Sequence, residues 1–270
     1  HAAHVGELHR RLQDPLAYAD ANLTVALAYM GQARWEQCER SALDAERIFH
    51  RLGERQGRMV ILAILANTAE LHGAFGRAEQ LWMLLDRLAI EVGDEVGQCW
   101  SAGGLAMLAI RRGAHAQATE QSRRAIALAR STGEAVSYLA DTGLLALSLL
   151  ESGHVDQARA RVDEGVALMA ALPRVATAHH LLNGLDAYSE LILRLWEIEA
   201  PPQGSTAWHQ WSHRAAVATR RADAYARVFA IGRPMAARHR GLHLWLLGRP
   251  AKAIAAWQLA IGEGQDRGIP

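Results

Sequence analysis

Cysteine is scarce in this chain of 270 residues, and its scarcity excludes several kinds of protein. The two cysteines, Cys38 and Cys99, lie far apart, and neither belongs to a CxxC pair. A disulfide framework and a cysteine-rich zinc site are therefore unsupported. A reducing, cytoplasmic compartment fits this composition best.

Long apolar runs are missing as well. The longest, MVILAILA and LLALSLL, fall short of the roughly 18 to 20 residues that a membrane-spanning helix needs. The chain does not open with a charged segment followed by an apolar one, so we expect no signal peptide and no membrane partner.

Lysine occurs once, at Lys252, and the common catalytic motifs do not occur. A phosphate-binding loop needs GxxxxGK[ST], yet the single lysine follows Pro250 and Ala251. The sequence contains neither GxSxG nor HExxH, and no segment alternates like a strand that could carry an acidic catalytic pair. We therefore expect no enzymatic activity in this chain and no cofactor.

Half of the residues are apolar, which is enough for a large buried core. The formal net charge is +1, but residues 201–270 carry 10 basic and 3 acidic side chains. The chain begins at His1, and its last stretch, AIGEGQDRGIP, stops soon after a helical pattern. We therefore expect it to be a piece of a longer polypeptide.

Small residues recur along the chain at a spacing of 40. A turn with a glycine precedes each of them, as in GAFGRA, GAHAQA and GHVDQA, and a further small residue lies 12 positions earlier in each copy. Such regularity indicates an internal repeat in which two helices meet closely. The later positions are Cys38, Ala78, Ala118, Ala158 and Ala253, and the earlier ones are Ala26, Ala66, Ala106, Ala146 and Gly241.

Apolar residues between these turns recur every three or four positions, which is the helical period. Each unit is therefore predicted to be a helix, a tight turn, a second helix and a connecting turn. Gly53, Gly93 and Gly133 can take the left-handed conformation that ends a helix. The acidic residue after each of these glycines then lies where the dipole of the next helix favours a negative charge.

These units resemble tetratricopeptide repeats. The resemblance rests on the small positions, on Tyr29 three residues after Ala26, and on Trp35 and Phe75, each three residues before a small residue of the second helix. It implies an all-α fold, a right-handed α-solenoid of about six antiparallel helix pairs. The period of 40 exceeds the usual value of about 34, which implies longer helices.

The spacing also divides the chain into two parts. Residues 1–172 are predicted to hold the regular repeats, whereas 95 residues separate Ala158 from Ala253. We interpret residues 173–270 as one long irregular repeat and a terminal repeat in the same solenoid. Within the irregular repeat we expect a first helix near 174–199, the loop APPQGST at 200–206, and a second helix near 207–231.

More narrowly, the unit endings LGE, VGD and TGE resemble those of C-terminal arrays in two bacterial classes. One comprises multidomain adenylate cyclases with an internal ATPase, and the other comprises STAND-type ATPase regulators. The resemblance implies a regulatory module of a larger signalling protein that binds a protein or peptide in its concave groove. An alternative is a sensor of a small molecule or peptide that controls an attached ATPase or cyclase.

In a tetratricopeptide stack the first helix of each repeat lines the groove. Mapped onto this chain, the resemblance implies that Asn67 and Arg111 hold a peptide backbone or carboxylate, while apolar side chains supply the floor. For any single position, packing against a neighbouring helix is an equally good explanation. The candidate groove-binding residues are Asn67, Glu70, Trp100, Met107, Arg111, Arg238 and Trp245.

The basic last 70 residues carry Trp208, Trp211, Tyr225 and Trp245 among their arginines. Arginines and aromatic rings together can hold single-stranded nucleic acid by phosphate contact and stacking. A solvated helix face with tryptophans in the core explains the same pattern, as does pairing of the arginines with the acidic first 200 residues. We favour these explanations over a nucleic-acid partner.

Two histidine pairs, His209 with His213 and His239 with His243, each lie on one predicted helix face. Such a pair can bind zinc or nickel if a neighbouring helix supplies a third ligand. Arginines flank both pairs, and no carboxylate or thiol lies nearby at ligand spacing. Solvent-facing histidines are therefore the favoured interpretation, and we assign no metal.

Overall fold

The computed structural model describes residues 14–173, 175–176 and 178–270, and these residues form helices and turns without any strand. Within the same ranges no helix is both long enough and apolar enough to span a membrane. The helices are α1 Pro15–Gly31, α2 Trp35–Leu52, α3 Arg55–Leu71, α4 Phe75–Val92, α5 Glu95–Arg111, α6 His115–Thr132, α7 Ala135–Glu151, α8 Val155–Arg159, α9 Val162–Ala171, α10 Leu181–Glu199, α11 Thr206–Val228, α12 Arg233–Leu246 and α13 Pro250–Arg267, with a 3-10 turn at Ala230–Gly232.

Consecutive helices pack side by side in six pairs, and α8 and α9 together form the second member of the fourth pair. The first helices of successive pairs, α1, α3, α5, α7, α10 and α12, also contact one another, so they form an inner layer. The all-α solenoid of six antiparallel helix pairs predicted from the repeat is confirmed.

Left-handed glycines join successive pairs. Gly53, Gly93 and Gly133 end α2, α4 and α6 with φ of 69°, 74° and 75°. The carboxylates of Glu54 and Asp94 accept hydrogen bonds from backbone N–H groups in the first turn of the next helix. These bonds cap helix ends whose donors have no other partner, in addition to placing the negative charge where the sequence predicted it. Glu134 occupies the corresponding position without a capping bond from its side chain.

The turns inside the pairs use a second series of glycines, Gly73, Gly113 and Gly153, with φ between 72° and 80°. In the first pair this position is Ala33, whose φ is 57°. A left-handed conformation costs an L-residue with a Cβ about 1–2 kcal/mol, so this turn is strained. The glycine expected to make the turn, Gly31, instead lies at the end of α1 and packs against Phe229.

The small residues of the repeat all lie where helices cross. Every alanine of both sets is fully buried, and so is Cys38. Gly241 is the corresponding small residue of the last pair, where a Cβ would lie 2.3 Å from the indole of Trp257 in α13. Because interiors are packed as densely as crystals, these positions set how closely the two helices of a pair approach.

The irregular repeat begins and ends differently from the expectation. Its first helix starts at Leu181 rather than near 174, although positions 174 and 177 lie outside the described residues. Its second helix spans Thr206–Val228 and is followed by a 3-10 turn instead of continuing to 231. The turn brings Gly232 onto the ring of Tyr225, where a Cβ would lie 2.4 Å from the ring and could not be accommodated.

The two ends of the solenoid touch. The indole N–H of Trp35 donates a hydrogen bond to the carbonyl of Arg267, and a Cβ on Gly31 would lie 2.8 Å from the ring of Phe229. We call this contact the seam. Because of the seam, the inner layer surrounds a space that the last pair of helices closes on one side.

Candidate ligand-binding cavity

The inner layer encloses a cavity of about 620 Å³, called here the main cavity. It is bounded by the inner helices and by α13 with the residues after it, so both sides of the seam contribute to its wall. The apolar part of the wall contains Met30, Leu71, Leu182, Ile231, Met235, Trp257, Ile261 and Ile269. The polar part contains Asn67, Glu70, Arg111, His179, Asn183, Asp186, Arg238 and Gln265.

Glu70, on α3, is a buried carboxyl group that lines this wall and is 8% exposed. Its Oε2 is buried and has no hydrogen-bond partner within the described ranges. Burial raises the pKa of Glu70 to about 7, while Arg111 opposes the shift and Asp186 adds to it. The carboxyl group therefore titrates well above its usual range, and its Oε2 is free to pair with a ligand.

Arg111, at the end of α5, supplies a positive charge beside Glu70. Its guanidinium is exposed and makes no hydrogen bond or ion pair with any residue that the structure describes. An arginine can bind a carboxylate through two parallel hydrogen bonds. Arg111 is therefore available to an anionic group in the main cavity.

Asp186, on α10, carries a fixed negative charge. Its Oδ1 lies 2.7 Å from Nη2 of Arg238 and 2.7 Å from Nε2 of the buried His239. Burial alone would raise the pKa of Asp186, but Arg238 and His239 more than offset it and hold the pKa below its usual value. Arg238 also contacts Glu190 at 3.0 Å. This cluster is satisfied internally and makes a rigid charged part of the wall.

A smaller cavity of about 110 Å³, the side cavity, adjoins the main one. Asn67, His179 and Asn183 line both, so the two spaces are adjacent. Burial, together with the neighbouring His180, lowers the pKa of His179 to about 4, so its imidazole is neutral at pH 7. The side cavity is otherwise lined mainly by Leu27, Val60, Ile64, Trp82, Trp100, Gly103, Gly104, Asp141 and Leu144.

Four of the seven residues proposed from the sequence lie together in the main cavity: Asn67, Glu70, Arg111 and Arg238. Trp100 lies in the side cavity, half-buried. The structure does not bring Met107 and Trp245 to either space. Met107 is 5% exposed and packs with Ala106, Leu144 and Ala187 between inner helices, whereas Trp245 is 49% exposed and packs against Trp257.

Several cavity residues were not proposed from the sequence. Asn183 and Asp186 lie in the irregular repeat, where the spacing of 40 gives no register for assigning a groove position. Asp141 could have been found, because an acidic residue in the middle of the mainly apolar α7 is unusual. His179 lines the cavity from the loop before α10, and Ile269 and Pro270 line it from the segment after α13. The repeat spacing does not place either segment; the loop and the seam bring them there.

In the basic last part of the chain, five of the ten basic side chains make internal hydrogen bonds or ion pairs. Arg214 pairs with Asp163 at 2.7 Å, and Arg221 donates to the carbonyl of Ala170 at 2.6 Å. Arg240 and Arg267 also pair with carboxylates. Two of the four aromatic residues proposed for stacking on bases are unavailable, since Trp211 and Tyr225 are 2% and 1% exposed, whereas Trp208 is half-buried and Trp245 is exposed.

The histidine pairs differ in their surroundings. His209 and His213 are exposed, whereas His239 is buried against Asp186, and Nδ1 of His243 lies 3.3 Å from the hydroxyl of Thr219. Across the part of the chain that the structure describes, no group of three or more His, Cys, Asp or Glu side chains is arranged to hold a metal ion. Cys38 and Cys99 are both free and buried.

No protein-family model matches the sequence, and no curated protein matches it. Among solved structures, the chain is similar to RapI in its apo form, with a TM-score of 0.66 and 10% identity over 96% of this chain and 95% of that one. It is also similar to BtubC (BKLC) from P. vanneervenii, with a TM-score of 0.51 and 17% identity over 86% of this chain and 90% of that one. At these identities the likeness shows the helical-repeat fold.

Proposed function

We propose that this chain is a non-catalytic binding module that holds a short peptide in its main cavity as part of a larger regulatory protein. The observation that carries the proposal is the main cavity itself, a space of about 620 Å³ with largely apolar walls, the unpaired Oε2 of Glu70 and several other polar side chains. Sites for small ligands typically enclose about 300–1,000 Å³ and have this mixture of surfaces.

The polar groups suit the parts of a peptide. Asn67 and Asn183 present carboxamides from α3 and α10, and a carboxamide can both donate to and accept from a peptide backbone. Arg111 suits a carboxylate, and Glu70 suits an N–H donor or an ammonium group. The apolar walls between them suit the side chains.

Arg111→Ala is expected to reduce retention of peptides without unfolding the chain. An equimolar mixture of tetrapeptides with free ends, passed over immobilised protein, is the probe, and the retained peptides are quantified by mass spectrometry. A charge-assisted hydrogen bond contributes about 1.5–3 kcal/mol, so affinity for the retained peptides should fall about ten- to a hundredfold.

Arg87→Ala is the matched control, because Arg87 is an exposed arginine on α4 outside both cavities and has no partner in the described residues. It should retain the same peptides as the wild type. Equal losses in the two variants, or none in either, would show that the peptide-binding site is not the main cavity.

A second candidate function, sensing that controls an attached ATPase or cyclase, is favoured by the seam. The main cavity touches Met30 and Leu71 on one side of the seam and Ile261 and Ile269 on the other. A ligand that contacts both sides of the seam would bind the solenoid more tightly when the seam is closed than when it is open. It would therefore shift the curvature of the solenoid.

Trp35→Phe tests the sensing candidate, because it keeps an aromatic ring but removes the N–H that bonds Arg267. Losing this hydrogen bond should weaken the seam by about 1 kcal/mol, so the seam should be open in part of the molecules. Small-angle scattering should then give a larger radius of gyration. Adding the peptides eluted from the wild type should restore the smaller radius. An unchanged radius in both conditions would rule out control through the seam, and Trp245→Phe, away from the seam, is the control.

A further inference from the structure

Asp141 is a buried acid directed at the side cavity. It lies on α7, is 3% exposed, and has Oδ1 above Gly103 of α5, where a Cβ would lie only 2.6 Å from that oxygen. Both residues line the side cavity. The absence of a side chain at position 103 therefore leaves Oδ1 open to the space.

The two oxygens of Asp141 have different surroundings. Oδ2 lies 3.7 Å from the thiol of Cys99, which is also 3.5 Å from the carbonyl oxygen of Ala125, whereas Oδ1 has no hydrogen-bond partner in the described part of the chain. Burial raises the pKa of Asp141 to about 8, so the group is a neutral acid at pH 7. Oδ1 is the oxygen above Gly103, so a proton on Oδ1 is an unused donor that faces the side cavity.

The titratable groups around Asp141 do not change this assignment. Cys99 stays a thiol, because burial and Asp141 raise its pKa to about 12. His179 is neutral, and His180 is its neighbour on the same loop, with its pKa lowered by burial. Glu134, at the start of α7, adds a negative charge that acts on Cys99. None of these groups supplies a cation that would hold Asp141 ionised.

We infer that the side cavity is a specificity subsite that receives an uncharged hydrogen-bond acceptor of the bound peptide, with the carboxylic acid of Asp141 as the donor. The inference rests on the proposed peptide binding in the main cavity. A carboxamide or hydroxyl side chain fits best, because its oxygen accepts from Asp141 while its carbon atoms pack against Trp100, Ile64 and Leu144.

The test compares which tetrapeptides of the free-ended mixture are enriched by the wild type and its variants at about pH 6 and pH 9.5. At the lower pH the wild type should enrich peptides with Asn, Gln, Ser or Thr at one position. At the higher pH the ionised Asp141 loses its donor, and affinity for these peptides should fall about tenfold. Asp141→Asn keeps a neutral donor at both pH values, so its enrichment should lack the part of the fall that the ionisation of Asp141 causes.

Glu70 also titrates in this range, since its pKa is about 7. The comparison between wild type and Asp141→Asn removes its contribution, because both proteins contain it. Gly103→Ala should abolish the enrichment at either pH, since its Cβ takes the space beside Oδ1. Gly262→Ala, at a helical glycine with no heavy atom within 4 Å of the added Cβ, is the control and should behave as the wild type.

Each remaining outcome decides against the subsite. Enrichment of Lys or Arg peptides that grows at high pH would mean that Asp141 binds cations as a carboxylate. Retention without enrichment at any position, or enrichment that Gly103→Ala leaves intact, would overturn the subsite while the main cavity keeps its proposed function. Absence of any retention by the wild type would overturn the proposed function and the subsite together.

Discussion

Asp141→Asn is expected to stabilise the folded chain by several kcal/mol above pH 8 and to have little effect below about pH 4. The pKa of Asp141 is raised from 3.8 to about 8 in the folded protein. Between these values the folded state binds more protons than the unfolded state, so stability falls as pH rises. Each unit of difference is worth about 1.4 kcal/mol, and an asparagine never ionises.

Urea denaturation of both proteins at a series of pH values measures this effect. The difference in free energy of unfolding between the variant and the wild type should grow from about pH 4 and level off above pH 8. Glu70 contributes the same sign of pH dependence to both proteins and cancels in the difference. Asp20→Asn, at an exposed position of α1, should follow the wild type throughout. Parallel curves for wild type and Asp141→Asn would show that Asp141 is solvated in solution.

Gly104→Ala is expected to lower the free energy of unfolding by about 2–3 kcal/mol, because α5 lies too close to the ring of Trp82 for a methyl group to fit between them. A Cβ at position 104 would lie 2.1 Å from Cε2 of Trp82, whose side chain is 3% exposed and held by α4. The better helix propensity of alanine, about 1 kcal/mol, offsets only part of this cost.

Gly262→Ala isolates the propensity effect, since an added Cβ there meets no heavy atom within 4 Å. That variant should be more stable than the wild type by about 0.5–1 kcal/mol. Thermal unfolding followed by circular dichroism would give opposite shifts in Tm for the two variants. A rise in Tm for Gly104→Ala would mean that α4 and α5 are less tightly packed than the indole contact implies.

The features that the sequence predicted well are those that depend on neighbours in the chain. Gly53, Gly93 and Gly133 end helices because the left-handed conformation is a property of a single residue. Ala26 and Ala66 are buried because every pair repeats the same crossing. The first turn shows the limit: Ala33 takes the left-handed position while Gly31 serves a contact with Phe229, almost 200 positions away.

Part of the candidate site could be predicted from the sequence, because it depends on the same local repeat. Asn67, Glu70 and Arg111 lie on regular repeats, so their place on the inner layer follows from the spacing of 40. Met107 was assigned to the groove, but the close contact of the inner helices places it in the core with Leu144. No local pattern distinguishes a cavity position such as Arg111 from a core position such as Met107, since both residues lie on the same face of α5.

The sequence by itself determined that this chain stacks helix pairs, because helical period, turn glycines and small crossing residues are encoded within each 40-residue unit. Only the tertiary structure decided what the inner layer encloses. Curvature accumulates over six pairs until Trp35 meets Arg267, and this seam turns an open groove into a cavity. The ionisation of Glu70 and Asp141 was likewise decided there, because burial among residues distant in the chain sets the pKa of each carboxyl group.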